Sequence, residues 1–263
     1  MRQFLEDTIR AAGALSLEYR SRLSSVAVDS KTHSQKDLVT EADRAVENLI
    51  VSRITETYPD HAILGEETGS HDGSDYRWII DPIDGTTSFV HNQPFYSVSI
   101  GVEHQGRDVL AAVCLPVLDE LFVAEAGGGA ELNGEPIRVS ERSRLIDSTL
   151  ATGFACVRAN HEPNNIPIFA EVMKHVRGIR RYGSAAADLC YVACGRLEAF
   201  WEMALQPYDV AAGRLIVTEA GGTFTDFVGG TEHLDYETLA TNGRITTELV
   251  EVLSVLRARQ VRT

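Results

Sequence analysis

Apolar residues recur at helical spacing in several segments of the chain. Near its start they are Phe4, Ala11, Ala12, Leu15 and Tyr19, with Thr8 on the same face. This period predicts a helix over roughly the first 20 residues. Further helices are predicted from about Glu41 to Thr57, Pro167 to Arg177, Ala185 to Cys194, Asp209 to Glu219 and Ile245 to Ala258.

Short apolar runs predict the strands. The candidates are Ala62 to Leu64, Trp78 to Ile80, Tyr96 to Glu103, Asp108 to Leu115, Leu121 to Ala124, Ile137 to Val139, Leu197 to Trp201 and Leu239 to Thr241. Strands dominate before about Ser140, whereas strands and helices alternate after it. We therefore expect an α+β part leading into an α/β part, as one domain with subdomains at about residues 1–140 and 141–263.

Bulk composition narrows the class of protein. The chain has 263 residues, 44% hydrophobic and 24% charged, which is typical of a globular protein with a large core. Its formal net charge of −14 argues against an extended nucleic-acid surface. The sequence has no signal-peptide core and no apolar run near the ~20 residues that cross a bilayer. We expect a cytoplasmic protein with no membrane or nucleic-acid partner.

The segment Asp81 to Phe89, which reads DPIDGTTSF, carries the strongest chemical signal. Asp81 directly follows the predicted strand Trp78 to Ile80, at the strand end where open α/β sheets present ligand groups. A helix that begins near Gly85 would present free N–H groups for an anion. Carboxylates beside an anion site suggest hard cations that bridge the protein and phosphate oxygens.

Four segments resemble signatures of the inositol monophosphatase family, in the family's order. They are Asp81 to Phe89 (Ser88 replacing the usual Asn), Pro207 to Gly213 (Tyr208 replacing the usual Trp), Gly65 to Thr68, and Asp37 to Asp43. The resemblance implies a layered αβαβα sandwich. It also implies a Mg²⁺-dependent, lithium-sensitive phosphatase of small phosphate esters, commonly a homodimer.

The resemblance also implies roles for the acidic residues around two to three Mg²⁺ ions. Glu66, Asp81 and the backbone carbonyl of Ile83 would hold the first ion. Asp81, Asp84 and Asp209 would hold the second, and Glu66 with Glu67 acting through water would serve a third. These ions would activate the attacking water and stabilise the leaving oxygen.

The remaining implied roles concern the water and the substrate. Asp43 and the Thr86 hydroxyl would orient the attacking water and take up its proton, with Glu66 also in the catalytic set. The backbone amides of Gly85 and Thr86 would hold the phosphate. The substrate-facing residues would be Asp84, Gly85, Thr86, Gly183, Ser184, Ala185, Glu202 and Asp209, with Glu202 accepting a sugar hydroxyl. The segment Val28 to Lys36 would form a flap.

Each of these residues also has an ordinary structural interpretation. Asp84-Gly85 is a common turn pair, Glu66-Glu67 a common solvated pair, and Asp209 a suitable first-turn residue for a helix. Asp43 could close a capping box that begins at Thr40, and Thr87 could be an N-cap. Arg180-Arg181 could steer an anionic substrate, form dimer contacts, or simply be solvated.

Two alternative classes of function compete with the metal phosphatase. Phosphatases of the haloacid dehalogenase type use D-x-D-G-T with an aspartyl nucleophile, but the spacing here is one residue longer. A non-catalytic phosphate- or metal-binding scaffold is the other. Inositol 1-phosphate is the first substrate choice. Fructose 1,6-bisphosphate, histidinol phosphate, NADP and 3′-phosphoadenosine 5′-phosphate, which relatives hydrolyse, remain open.

Overall fold

A computed structural model describes the backbone of residues 1–26 and 35–260, and the side chains of residues 1–22 and 41–254. The predicted flap from Val28 to Lys36 lies outside the described side chains. The helices are α1 (Arg2–Val26), α2 (Gln35–Thr57), α3 (Thr86–Val90), α4 (Ala155–Arg158), α5 (Ile166–Val172), α6 (Ala185–Ala193), α7 (Pro207–Glu219) and α8 (Thr246–Gln260).

The strands form two sheets. The first contains β1 (Ala62–Gly65), β2 (Gly69–His71), β3 (Tyr76–Asp84), β4 (Ser97–His104), β5 (Arg107–Leu115), β6 (Glu120–Glu125), β7 (Gly129–Leu132) and β8 (Glu135–Pro136), in the order β2-β1-β3-β4-β5-β6-β7-β8. The second contains β9 (Thr149–Thr152), β10 (Gly178–Arg180), β11 (Ala199–Met203), β12 (Thr223–Thr225) and β13 (Glu237–Thr241), in the order β10-β9-β11-β13-β12.

Helices and sheets stack as an αβαβα sandwich. Helices α1 and α2 cover one face of the first sheet, α6 and α7 lie between the two sheets, and α5 and α8 cover the outer face of the second. The alternation along β4 shows why: Val98 and Ile100 pack towards α1 and α2. Gly101 faces the other way, where a Cβ would lie 3.0 Å from the Cβ of Ala211. The missing side chain therefore lets α7 approach the sheet.

The structure corrects several predicted elements. Ile137 to Val139 is not a strand; the chain there leaves the sheet after the short strand β8. The helix predicted from Pro167 to Arg177 ends at Val172, and β10 follows. Helix α2 begins at Gln35, so Thr40 lies inside it and cannot be the N-cap of a box with Asp43. In the described part of the chain, no helix is both long and apolar enough to cross a membrane.

Candidate metal and substrate site

The end of β3 brings two aspartates to the same place. Residues three apart on a regular strand point to opposite faces. Here the pairing of β3 with β4 shifts register between Asp81 and Asp84, which is the irregularity of a β-bulge. Asp81 accepts the Ile83 amide at 3.1 Å, while Asp84 accepts the Ser184 hydroxyl at 2.6 Å and the Ala186 amide at 2.7 Å. Both carboxylates are thus buried and fixed in position.

Asp209 reaches the same place from the first turn of α7. Pro207 occupies the start of that helix, and the Asp209 carboxylate accepts the Gln206 amide at 2.6 Å. The structural role foreseen for Asp209 is therefore present together with its position in the cluster. One carboxylate oxygen each from Asp81, Asp84 and Asp209 lies within 4.8 Å of the others.

The electrostatics of this cluster fit a divalent cation. Burial raises the pKa of Asp81 well above its usual range, and the neighbouring Asp84 raises it further. Burial, followed by the charge of Asp84, raises the pKa of Asp209 to about 8. Three oxygen donors that repel one another in a buried site are the donor set that a hard cation such as Mg²⁺ stabilises. The residues present can therefore hold such an ion.

The Glu66-Glu67 loop closes the cavity from the end of β1. The Glu66 amide donates to the Ile80 carbonyl at 3.2 Å, which ties the loop to β3 beside Asp81. Glu66 is exposed as a residue, yet partial loss of solvent around its carboxyl, followed by the charges of Asp84 and Glu67, raises its pKa to about 7. Glu67 is exposed and lies 3.7 Å from the Arg44 guanidinium.

Glu47 is a site residue that the sequence reasoning missed. Its buried carboxylate accepts the Glu67 amide at 3.0 Å and the Thr68 amide at 2.6 Å. A Cβ on Gly65 would lie 2.4 Å from Glu47 Oε1, so the glycine makes room for this carboxylate. The four-residue spacing of Asp43 and Glu47, which places both on one helix face, was the available signal.

Asp43 lies on α2, and Thr86 is the first residue of α3. Burial, then the charge of Glu66, raises the pKa of Asp43 to about 8. The Thr86 hydroxyl donates to the Ile83 carbonyl at 3.4 Å. Within the described side chains no hydrogen bond joins Asp43 to Thr86, so their predicted partnership stays a prediction. Gly85 is the N-cap of α3 at φ 92° without a side-chain cap, so the N-cap role considered for Thr87 is wrong.

The residues predicted to face the alcohol come from the second sheet and α6. Glu202 lies near the end of β11, where it accepts the Ala155 amide at 2.9 Å. Burial raises its pKa to about 7. A Cβ on Gly153 would lie 2.0 Å from a Glu202 carboxylate oxygen, so only glycine leaves room for it. Ser184 caps α6 by accepting the Ala187 amide, and it donates to Asp84. Its hydroxyl therefore supports the acidic cluster.

Two adjoining cavities join these residues. A cavity of about 280 Å³ runs along Glu66, Asp81, Ile83, Gly85, Thr86 and Thr87. A smaller one of about 90 Å³ reaches Thr152, Gly153, Ala155, Ser184, Ala185, Asp188, Glu202 and Leu205. Asp84, Arg158, Arg181, Gly183 and Asp209 line both cavities. Asp43 is not among the lining residues of either.

Asp188 is a second residue that the sequence reasoning missed. It is buried in the first turn of α6, and its Oδ1 has no hydrogen-bond partner among the described residues. Burial raises its pKa well above the usual range, and the charge of Asp84 raises it further. Its position in the helical segment Asp188 to Cys194 gave no signal, because an acidic residue in a first turn is ordinary.

These layers and this acidic cavity define the sandwich fold of the inositol monophosphatase and fructose-1,6-bisphosphatase type. A solved inositol monophosphatase from Anabaena (Nostoc) superposes with a TM-score of 0.87 at 37% identity, covering 97% of this chain and 95% of that one. The SuhB protein of Bartonella henselae gives a TM-score of 0.84 at 38% identity, covering 96% and 98%.

Sequence comparison gives the family. The model of the inositol monophosphatase family matches residues 1–258, and the chain belongs to this family. Nus factor SuhB of Pseudomonas aeruginosa is 45% identical over 232 residues, which are 86% of this chain and 85% of that protein. Inositol-1-monophosphatase of Mesorhizobium japonicum is 43% identical over 201 residues, 76% of each chain.

Proposed function

We propose that the chain is a Mg²⁺-dependent phosphomonoesterase that hydrolyses a small sugar or cyclitol phosphate, with inositol 1-phosphate as the first candidate. The observation that carries this proposal is the convergence of Asp81, Asp84 and Asp209 on one point of a cavity. A relative named inositol-1-monophosphatase, 43% identical, supports the choice of substrate.

The proposed metal residues follow the donor set. Asp81, Asp84 and Asp209 would hold one ion, while Asp81, Glu66 and the Ile83 carbonyl would hold a second. Glu67, which is exposed, would serve a weaker third ion through water. When bound, such ions lower the pKa of a water molecule and stabilise the charge that develops on the leaving oxygen.

The chain's own residues would orient the attacking water. Because the Thr86 hydroxyl donates its hydrogen bond to the Ile83 carbonyl, its oxygen lone pairs stay available to accept a hydrogen bond from the attacking water. Asp43 is buried and lines neither cavity, so the proton that the water loses would reach it by way of Thr86: the Thr86 hydroxyl would turn from the Ile83 carbonyl, accept that proton and pass its own to the Asp43 carboxylate. No side chain becomes covalently attached to phosphate in this scheme.

The smaller cavity would hold the alcohol half of the substrate. Glu202 already accepts the Ala155 amide, and its remaining lone pairs can accept a sugar hydroxyl. The Gly85 and Thr86 amides at the start of α3 would hold the phosphate on the other side of Asp84. The Gly183 to Ala185 segment would form the wall between the two halves.

Phosphate release from inositol 1-phosphate in the presence of Mg²⁺ tests the proposal. Asp84→Asn should lower the rate by at least about 100-fold. Loss of an outer-shell group around a metal costs up to about 100-fold in activity, and loss of a direct ligand should cost no less. Asp72→Asn, at an exposed position away from the cavity, is the matched control and should retain the parent rate. Equal rates for parent and Asp84→Asn would refute the metal assignment.

The same assay separates the competing functions. Running it on inositol 1-phosphate, fructose 1,6-bisphosphate, histidinol phosphate, NADP and 3′-phosphoadenosine 5′-phosphate ranks the candidate substrates. A trapped aspartyl phosphate would favour the haloacid dehalogenase mechanism. Relatives named Nus factor SuhB favour, as a second candidate, a binding role that needs no turnover. Absence of hydrolysis on all five compounds would support that role.

We also propose a homodimer, following the commonest state of the family. Sedimentation equilibrium should give a mass of twice 28.8 kDa. A mass that stays at one chain across the concentration range would contradict the dimer.

A further inference from the structure

Two arginines line the site without an ion-pair partner. Arg158 is the last residue of α4, and Arg181 directly follows β10. Both side chains line both cavities. Within the described residues neither makes a salt bridge, although Arg77, Arg142 and Arg214 do. Both residues are exposed, so a ligand that enters either cavity can reach their guanidinium groups.

Gly183 allows Arg181 to fold over the cavity wall. A Cβ on Gly183 would lie 2.4 Å from Arg181 Nη1, and Gly183 has φ 100°. The guanidinium therefore lies against the backbone that separates the two cavities, in space that any other residue at position 183 would fill. This places its positive charge at the solvent-exposed edge of the two cavities, beside the proposed position of the substrate.

Both arginines come from the second sheet, which supplies the alcohol side of the site, and both lie where the two cavities meet. The metal-binding candidates Asp81 and Asp84 come from β3 of the first sheet, whereas Arg158 and Arg181 follow β9 and β10 of the second. Both guanidinium charges oppose the burial that raises the pKa of Glu202, so both lie within electrostatic reach of that carboxyl.

Ion pairing with nearby acidic residues does not explain the presence of the two arginines. Glu202 uses its carboxylate on the Ala155 amide, and Asp188 leaves Oδ1 without a partner, yet neither acid lies within ion-pair distance of either arginine. An arginine that served only to neutralise these acids would be expected to contact one of them. The two guanidinium groups instead keep their donors available to a ligand.

We propose that Arg158 and Arg181 together bind a second anionic group on the alcohol half of the substrate, so that the site prefers esters with two anionic groups. This inference rests on the proposed phosphatase function. Guanidinium groups match phosphate and carboxylate oxygens with paired N–H donors, so the second group is one of these two.

Matched substrate pairs test the proposal with the full chain and Mg²⁺. Fructose 1,6-bisphosphate and fructose 1-phosphate differ only in the second phosphate. 2-Phosphoglycerate and glycerol 2-phosphate differ by a carboxylate in place of a hydroxymethyl group. The kcat/KM ratio within each pair is measured for the parent, Arg158→Gln and Arg181→Gln, with the exposed Arg177→Gln as the matched control.

The parent should prefer the doubly anionic member of at least one pair, and that pair identifies the second group as phosphate or carboxylate. Each arginine variant should lose about 10- to 100-fold in kcat/KM on the doubly anionic compound, which is the range for one charge-assisted hydrogen bond. On the singly anionic compound of the same pair, kcat/KM should change by no more than about twofold. Arg177→Gln should match the parent on all four compounds.

Equal losses on both members of a pair would show that the arginines bind the transferred phosphate, and would overturn the proposal. Unchanged rates for both variants would overturn it as well. If the parent releases phosphate from none of the four compounds, its activity on inositol 1-phosphate decides the proposed function separately. Because the compounds are then not consumed, calorimetry can measure the Kd of each one for the parent and the same variants. The ratio of Kd values within each pair then tests the arginine proposal independently of turnover.

Discussion

Replacing Glu47 by alanine removes the carboxylate that holds the Glu66-Glu67 loop. The parent carboxylate accepts two backbone amides, those of Glu67 and Thr68, at 3.0 and 2.6 Å. A hydrogen bond to a charged group contributes about 1.5–3 kcal/mol, and water can replace part of it in this exposed loop. We therefore expect Glu47→Ala to lower the free energy of unfolding by about 2–4 kcal/mol.

The same substitution should weaken metal binding. Glu66, the candidate ligand on this loop, depends on the Glu47 contacts for its position. Loss of an outer-shell partner typically costs about 10- to 100-fold in metal affinity, so the Mg²⁺ concentration for half-maximal activity should rise by that factor. Glu47→Gln keeps one acceptor oxygen and should fall between the parent and Glu47→Ala for both properties.

Urea unfolding and a Mg²⁺ titration of activity measure these effects. Glu56→Ala removes an exposed carboxylate from the same helix and should change the free energy of unfolding by less than about 0.5 kcal/mol. If Glu47→Ala unfolds like Glu56→Ala and keeps the parent Mg²⁺ requirement, the supporting role of Glu47 is refuted.

Three further predictions concern pH, inhibition and packing. Because the folded-state pKa of Glu202 is raised from 4.5 to about 7, its contribution to stability is present below pH 4.5 and is lost as pH rises through about 7. Urea unfolding of the metal-free protein above pH 7 should show that Glu202→Gln lacks this loss of unfolding free energy, which is roughly 3 kcal/mol in the parent. A variant that keeps the pH dependence of the parent would contradict this prediction. Millimolar lithium should inhibit phosphate release, and a flat lithium titration would place the chain outside the lithium-sensitive members. Gly213→Ala should destabilise the fold by about 1–3 kcal/mol despite better helix propensity, since its Cβ would lie 2.4 Å from Leu189 Cδ1; a stability gain in urea unfolding would show that α6 and α7 can separate.

Long amphipathic or fully buried segments were predictable from the sequence. Strand β5 ends at the predicted Leu115, and α7 ends at the predicted Glu219. Strands β10 and β12 were missed because three residues cannot show an alternation that distinguishes a strand from a loop. The capping interpretation of Thr40 was wrong. The sequence pattern around Thr40 and Asp43 is typical of a helix start, but α2 begins earlier, at Gln35.

The acidic cluster was predictable only in part. The spacing of Asp81 and Asp84 signalled chemistry, but a regular strand would have separated their side chains. The register shift that unites them, and the arrival of Asp209 from α7, are properties of tertiary structure. Asp188 and Arg158 carry no local signal, because burial and an unpaired charge emerge only when the second sheet packs against the first.

Crystals soaked in Mn²⁺ test the central claim most directly, since this ion takes oxygen ligands as Mg²⁺ does and scatters anomalously. We predict an anomalous difference peak bounded by the carboxylates of Asp81, Asp84 and Asp209, and its loss in Asp84→Asn. A parent crystal at saturating Mn²⁺ with no peak between these three residues would contradict the account.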